Sequence, residues 1–329
     1  MEKNALISIL TPSYNSSKFL PRLLDSVLNQ DYPKVEMIVV DDGSTDNTKT
    51  IVENYKKRFE CKGYQLYYVF QENGGQSVAV NTGLKIVKGD YLVWPDSDDF
   101  YASSDALSRL ASVLETQQVS VVRCQVQNLL ERDLSPTGSY FKTYDKDTID
   151  NVFDDCLYCK NGFWYQPGGY MVRMTDVDKF IPNREIYTEK RAGQNWQMML
   201  PLLYKNKCYT IKDRLYNVVV RESSHSHTSF SSFQRGIEMI DVYERTISNT
   251  LNSMPNMSDS DKQYYINSIH LKYLKQKFDF AISKLKKREA KAYYKELKVL
   301  TKVAKLDSFK LYSPFLYKIL KHIKYRICK

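Results

Sequence analysis

No stretch of the 329-residue sequence approaches the ~18 consecutive apolar residues that a membrane-spanning helix needs. A secretory signal is not expected either, because the apolar run Leu6–Leu10 is short and leads straight into Thr11-Pro12. Cysteine is sparse. Of the six, only Cys156 and Cys159 form a C-x-x-C pair, with no second pair or suitably spaced histidine after it. A zinc site and a disulfide framework are therefore not expected, and unpaired thiols in a reducing, cytoplasmic location are. No internal repeat is present, and no helix-turn-helix or RNA-binding signature points to nucleic acid. Acids are scarce toward the C-terminus. Residues 272–329 hold 18 Lys and Arg against Asp279, Glu289, Glu296 and Asp307, while the whole chain carries only +10. A mildly acidic body thus bears a strongly basic tail.

What remains is ordinary globular composition, 43% apolar and 26% charged. The length suits one large domain with an appendage, or two domains. Tyrosine is abundant, at 26 residues, and offers a stacking face with a hydroxyl. The first hundred residues alternate strand and helix signals. Leu6–Leu10 reads as a strand ended by Pro12. Phe19, Leu20, Leu23, Leu24, Val27 and Leu28 recur at helical spacing, with Pro21 near the start, where a missing N–H costs least. Val35–Val40, Leu66–Phe70 and Tyr91–Trp94 read as further strands, with helices over Thr48–Phe59 and Ser77–Val87 between them. Such repeats imply parallel strands with right-handed crossovers, and ligands then sit beyond the strands' carboxyl ends. The segments to search are Thr11–Asn15, Asp41–Asp46, Gln71–Gln76 and Pro95–Tyr101. Farther on, Ser120–Val126 and Leu215–Val220 read as strands and Asn195–Tyr204 as a short helix. From about residue 232 the pattern is helical. Tyr264, Ile269, Leu271, Leu274, Phe278, Ile282 and Leu285 mark one amphipathic helix, and Phe315, Leu316, Ile319, Leu320 and Ile323 another.

Two acidic clusters carry the chemistry. Asp96-Ser97-Asp98-Asp99 places three mutually repelling carboxylates at a strand end. Either they hold a hard divalent cation, Mg²⁺ or Mn²⁺, or they are a helix cap with solvated acids. Asp41-Asp42-Gly43-Ser44-Thr45-Asp46 is likewise a ligand-facing carboxylate pair or simply turn and capping chemistry.

Together, Thr11-Pro-Ser-Tyr-Asn15, Val39-Val-Asp-Asp-Gly-Ser-Thr-Asp46, Asn73-Gly-Gly-Gln-Ser-Val-Ala-Val-Asn81 and Asp96-Ser-Asp-Asp99 resemble, in order and interval, the successive signatures of family 2 glycosyltransferases. The resemblance is specific over roughly residues 5–105, weaker to about 227, and does not cover the tail. It implies an α/β GT-A fold, a Rossmann-like mixed sheet flanked by helices, over residues 1–228; the helical pattern and the excess of Lys and Arg make 229–329 a basic C-terminal α-helical extension. It also implies a nucleotide-diphosphate sugar donor, a divalent metal and inversion at the anomeric carbon. Pro12 and Tyr14 would flank the base, and Asp42 would accept the uracil N3–H. Asn73, Gln76 and Ser97 would lie near the ribose or diphosphate. Asp96 and Asp98 would be the D-x-D pair, with Asp98 on the metal.

The chain departs from the family in two places. Val80 stands where the family often has Arg. Gly193-Gln194-Asn195-Trp196 stands where it usually has a Glu-Asp pair before a Trp. An inverting transfer to a hydroxyl needs a base. Glu189 and Asp99 are the carboxylates nearest in sequence, while Gln194 and Asn195 suit hydrogen bonds to acceptor or donor sugar. His225 and His227 are either metal ligands or polar loop residues. Trp164, Tyr165 and Trp196 are either an acceptor platform or core. The tail, in which Tyr312, Phe315, Leu316, Tyr317, Ile319 and Tyr325 interleave with Lys310, Lys318, Lys321, Lys324 and Arg326, either contacts an anionic membrane or packs on the domain. The expectation is a UDP-sugar-dependent enzyme of surface-polysaccharide synthesis, acting on a glycan or lipid-linked acceptor and peripheral on the inner face of the plasma membrane. The alternative is a GT-A-fold binding protein that has lost its base.

Overall fold

The structure, a computed structural model, describes residues 5–138, 141–221, 230, 232–301 and 305–313. The chain forms two compact units, Met1–Glu222 with Asn249–Ser258, and Ser223–Ser248 with Asp259–Lys329.

The first unit is built on a mixed nine-stranded sheet. Strands β1 (Ile7–Ser13), β2 (Val35–Asp42), β3 (Gln65–Gln71) and β4 (Tyr91–Val93) run parallel in the order β3-β2-β1-β4. Parallel neighbours need long crossovers, and helices α1 (Leu20–Leu28), α2 (Thr48–Lys62) and α3 (Gln76–Leu84) supply them. Every residue of β1 and β2 is buried, whereas β3, at the end of the sheet, is largely open to solvent. Helix α3 crosses β1 closely enough that a Cβ on Gly83 would collide with the Leu10 side chain.

After β4 come β5 (Phe100–Tyr101), α4 (Ala106–Thr116), β6 (Val121–Leu130), β7 (Thr148–Asp150), α5 (Phe153–Tyr158), β8 (Tyr170–Arg173), α6 (Met174–Phe180), α7 (Asn195–Leu203) and β9 (Cys208–Val220). β8 pairs antiparallel with β4 and β6, β6 pairs parallel with β9, and β5 and β7 close antiparallel on β9. The mixed sheet flanked by helices is the expected fold class.

Three features differ from the sequence reading. β1 does not end at Pro12 but pairs with β2 as far as Ser13. β4 pairs only with Ile7–Ile9, so Pro12 lies where β1 is already an edge on that side, a place that tolerates a missing N–H. β9 starts well before Leu215, because Lys212-Asp213-Arg214 hides its apolar pattern near a register shift against Gln125. The strands β5, β7 and β8, two, three and four residues long, are too short to show a period.

From residue 233 the described chain is helical: α8 (Phe233–Ser253), α9 (Asp259–Ser283), α10 (Lys287–Leu300) and α11 (Lys305–Tyr312). The second unit's core joins Leu274, Phe278, Ala281 and Ile282 of α9 to Ala290, Tyr294 and Leu297 of α10 and Leu311 of α11. Among the described residues no helix is long and apolar enough to cross a membrane. The helix expected over 315–323, with Tyr317, Lys318, Lys321, Lys324, Tyr325 and Arg326, lies outside them.

Candidate active site

The carboxyl end of β4 gathers the charged groups. The chain leaves the sheet at Trp94, and within five residues presents Asp96, Ser97, Asp98 and Asp99. Each acid has a different partner. Asp99 is 4% exposed, and its Oδ1 accepts the backbone N–H of Val219 on β9 at 2.8 Å. Burial, then the charges of Asp98 and Asp96, raise its pKa well above the ordinary carboxylate range. The expectation of Asp99 as a catalytic base is therefore corrected: this carboxyl is sealed inside the fold and ties β4's end to β9.

Asp98 is met by Arg221, whose Nη2 lies 2.5 Å from Oδ2. The Arg221 guanidinium also sits 4.7 Å from the Phe19 ring centroid. Arg22 donates from Nη2 to the Asp98 carbonyl at 2.9 Å. Asp96 accepts from Gln76 Nε2 at 2.7 Å. Enclosure by protein and the neighbouring Asp98 charge push its pKa up to about 7, against the opposing pull of Gln76 and Arg221. Ser97 Oγ and Ser16 Oγ share a 2.7 Å hydrogen bond, which links the cluster to the end of β1.

The carboxyl end of β2 shapes the next wall. Asp42 is 4% exposed. Its oxygens accept from Gln71 Nε2 at 2.7 Å, the Gly74 N–H at 2.8 Å and the Gly75 N–H at 2.8 Å. Asn73 Nδ2 donates to the Asp42 carbonyl at 2.9 Å. Asp42 and Asn73, expected at the uracil and the ribose or diphosphate, are thus engaged in fixing the loop that starts α3. Gly75 is required there, with φ +96° and a would-be Cβ 3.1 Å from the Lys190 carbonyl. Asp46 accepts the Thr48 N–H at 3.0 Å at the head of α2, where Asn47 is the N-cap residue. Of the pair expected to flank the base, Pro12 is buried and Tyr14 is 48% exposed.

Helix α3 holds the third wall, the segment 186–195. Asn81 bonds Ile186 reciprocally, Nδ2 to carbonyl and N–H to Oδ1, both at 2.9 Å. Ser77 Oγ accepts the Glu189 N–H at 3.2 Å. A Cβ on Gly193 would lie 3.2 Å from Gln76 Oε1, so the start of α7 stands beside the residue that holds Asp96. Gln194 is fully buried, and neither of its side-chain polar atoms has a partner. Asn195 Oδ1 is also buried without one. Val80 lies entirely in the core, so its side chain supplies no polar contact.

The aromatic residues separate. Trp164 is 1% exposed, with the buried Arg123 guanidinium 3.8 Å above its ring. It is core, which corrects its expectation as an acceptor platform. Tyr165 and Trp196 are half-buried and meet edge to face at 5.6 Å. Trp196 Nε1 donates to the Tyr165 hydroxyl at 3.2 Å. His225 and His227 lie outside the described residues. Sequence reasoning missed Arg22 and Arg221. The signal for Arg221 was its position directly after an apolar strand.

A family model described as glycosyl transferase family 2 matches residues 8–163. The chain is 39% identical over 119 residues to the uncharacterized glycosyltransferase EpsJ of Bacillus subtilis, covering 36% of this chain and 33% of that one. It is 33% identical over 158 residues to the putative teichuronic acid biosynthesis glycosyltransferase TuaG of Bacillus subtilis, 46% of this chain and 60% of that one. The match thus spans about a third of the length of the first relative and 60% of the second. Among solved structures, S. aureus TarS 1–349 in complex with UDP-GlcNAc superposes with TM-score 0.62 at 20% identity, over 86% of this chain and 82% of that one. That likeness shows the fold, GT-A.

The raised Asp96 pKa has a stability consequence. Between the unfolded carboxyl value of ~3.9 and about 7, the unfolded state is ionised while the folded state keeps its proton. Stability is therefore lost as pH rises through that window, and no more above it. Asp96→Asn removes this dependence. In EDTA, the melting temperature of the wild type relative to Asp96→Asn should fall between about pH 4 and pH 7 and then level off. A constant difference across the window would contradict the assignment.

Proposed function

We propose that the chain transfers a sugar, with inversion, from a UDP-linked donor to a glycan or lipid-linked acceptor in surface-polysaccharide synthesis. The observation that carries this reading is the Asp96–Asp98 pair at β4's end with the Arg221 guanidinium seated on Asp98. Two carboxylates converge where a cation is favoured, and a side-chain cation holds that place. TarS, whose fold this chain shares, is a UDP-GlcNAc complex, and TuaG is named for teichuronic acid biosynthesis.

The residues fit a bound Mg²⁺ or Mn²⁺. Among the described residues no three His, Cys, Asp or Glu groups cluster to hold a metal. Mg²⁺ in particular is commonly held by one or two carboxylates plus substrate phosphates and water. Asp98 would be the direct ligand and Asp96 its neighbour. The ion, when bound, would neutralise charge on the diphosphate leaving group. Arg221 would give up Asp98 and turn to the diphosphate. Its Nε–H is buried and has no partner, as is that of Arg22, so both guanidiniums retain a donor for an anion. Pro12 and Tyr14 flank the uracil. Asp42 and Asn73 act by shaping the Gly74–Gly75 loop, and Gln76 and Ser97 hold the acids in place. Tyr165 and Trp196 offer the acceptor a ring edge. Gln194 and Asn195 are amides that take no proton at neutral pH. On a hydroxyl acceptor the proton would go to Glu189, on the segment clamped to α3.

The tail adds a surface. On α10, Arg288, Lys291 and Lys295 are exposed, and Lys298 is exposed beside the buried Ala290, Tyr294 and Leu297, with its ammonium over the Tyr294 ring. Val299, 83% exposed, and Leu300, 50% exposed, end that helix. A basic stripe with an apolar end suits an anionic bilayer, which supports the reading of peripheral attachment to the inner face of the plasma membrane.

Calorimetric titration of UDP should show binding with Mn²⁺ that disappears in EDTA and weakens by at least ~10-fold in Asp98→Ala. Metal-independent binding, or an unaffected Asp98→Ala, would contradict the donor site. For the tail, sedimentation with phosphatidylserine vesicles should fall in Arg288→Glu/Lys291→Glu/Lys295→Glu. Equal partition onto neutral phosphatidylcholine vesicles would contradict the membrane reading.

A further inference from the structure

Helix α7 opens on an unusual set of side chains. Its N-cap is Gln194, which makes no capping hydrogen bond, and its first turn contains no acid. Gln194 is fully buried with Oε1 and Nε2 both unpartnered. Gln197, 1% exposed, donates Nε2 to the Gly193 carbonyl at 2.7 Å and leaves Oε1 unpartnered. A buried amide left unpaired is costly, so these groups point to a partner that arrives from outside the chain.

The chemistry of that partner follows from the charge. A helix N-terminus carries the positive end of the helix dipole and several N–H groups without partners inside the helix. Exposed Lys190 and Arg191 lie just before it. Gln194 adds an amide N–H and no negative charge. Such a place accepts an anion. Two carboxylates here would repel one; Gln194 and Asn195 do not. The site lies beside Gln76, which holds Asp96, and so is next to the proposed donor.

We propose that the N-terminus of α7 binds the ionised phosphoryl group of the acceptor, and that the acceptor is a phosphate monoester whose oxygen is the nucleophile. This rests on the donor reading above and names the acceptor's reactive group. A phosphate oxygen attacks the anomeric carbon and forms the new C–O bond. The bond from that carbon to the donor's β-phosphate oxygen breaks, and UDP leaves with the electron pair. The product is a glycosyl phosphodiester. The nucleophile carries no proton to remove, so the step needs no base. This accounts for amides in the first turn of α7 and for a sealed Asp99.

The test uses the full chain saturated with Mn²⁺ and UDP. Dodecyl phosphate below its micelle concentration, and glycerol 3-phosphate, are titrated calorimetrically, with dodecyl maltoside as the neutral control. Each titration is repeated on UDP-free protein and on Gln194→Glu and Gln194→Ala, whose melting temperatures report folding. The proposal expects phosphate binding with UDP in place, at least tenfold weaker in Gln194→Glu and at least threefold weaker in Gln194→Ala. Binding of dodecyl phosphate alone identifies a lipid phosphate; equal binding of both identifies a soluble phosphate ester. Binding that competes with UDP, binding unchanged in both variants, or no phosphate binding overturns the proposal. Failure of UDP itself to bind defeats the donor reading alone, because the UDP-free titrations still report whether phosphate binding depends on Gln194.

Discussion

The structure turns on like-charge crowding at the end of β4. Three carboxylates within four residues are held together because each has its own neutralising device. Asp99 is buried against a backbone N–H of β9, Asp98 is paired with Arg221, and Asp96 is bonded by Gln76 with its pKa pushed up to about 7. Bringing those devices to one place requires the ends of four elements: β1 through Ser16, α3 through Gln76, α1 through Arg22 and β9 through Val219 and Arg221. The parallel half of the sheet delivers the first two, and the pairing of β5 with β9 delivers the last.

A second constraint sits behind the first. Asp42 gathers the Gln71 amide and two loop N–H groups, and so sets where α3 begins. Helix α3 then positions both Gln76, which serves the acid cluster, and the Ser77 and Asn81 contacts that hold segment 186–195. Disturbing Asp42 would therefore move Gln76, with the Asp96 it holds, and the start of α7 together, although neither lies near it in sequence.

The parallel strands and their polar carboxyl ends were legible because apolar runs alternate with helical spacing and turn residues. The acid cluster was legible for a different reason: repulsion among adjacent carboxylates demands an explanation wherever it occurs. What could not be read was long-range pairing. The partner of Asp99 is 120 residues away and belongs to a backbone, which leaves no mark in the side chains. Arg221 is one arginine after an apolar strand and belongs to no motif. Trp164 beside Tyr165 and two glycines suited a surface platform and a core equally, until the position of Arg123 over its ring decided for the core. Pro12 suggested a strand end, yet the strand continues because only one side of it is paired there.

The central claim is that Arg221 holds, in the ligand-free chain, the place on Asp98 that a divalent cation takes with the donor. A crystal structure of the chain with UDP and Mn²⁺ tests it most directly, through the separation of Asp98 Oδ2 and Arg221 Nη2, 2.5 Å without ligand. The account predicts that this pair opens beyond ~4 Å, the limit of an ion pair, with Asp98 on the metal and Arg221 turned to the diphosphate. UDP bound with the pair still closed and no metal on Asp98 would contradict it.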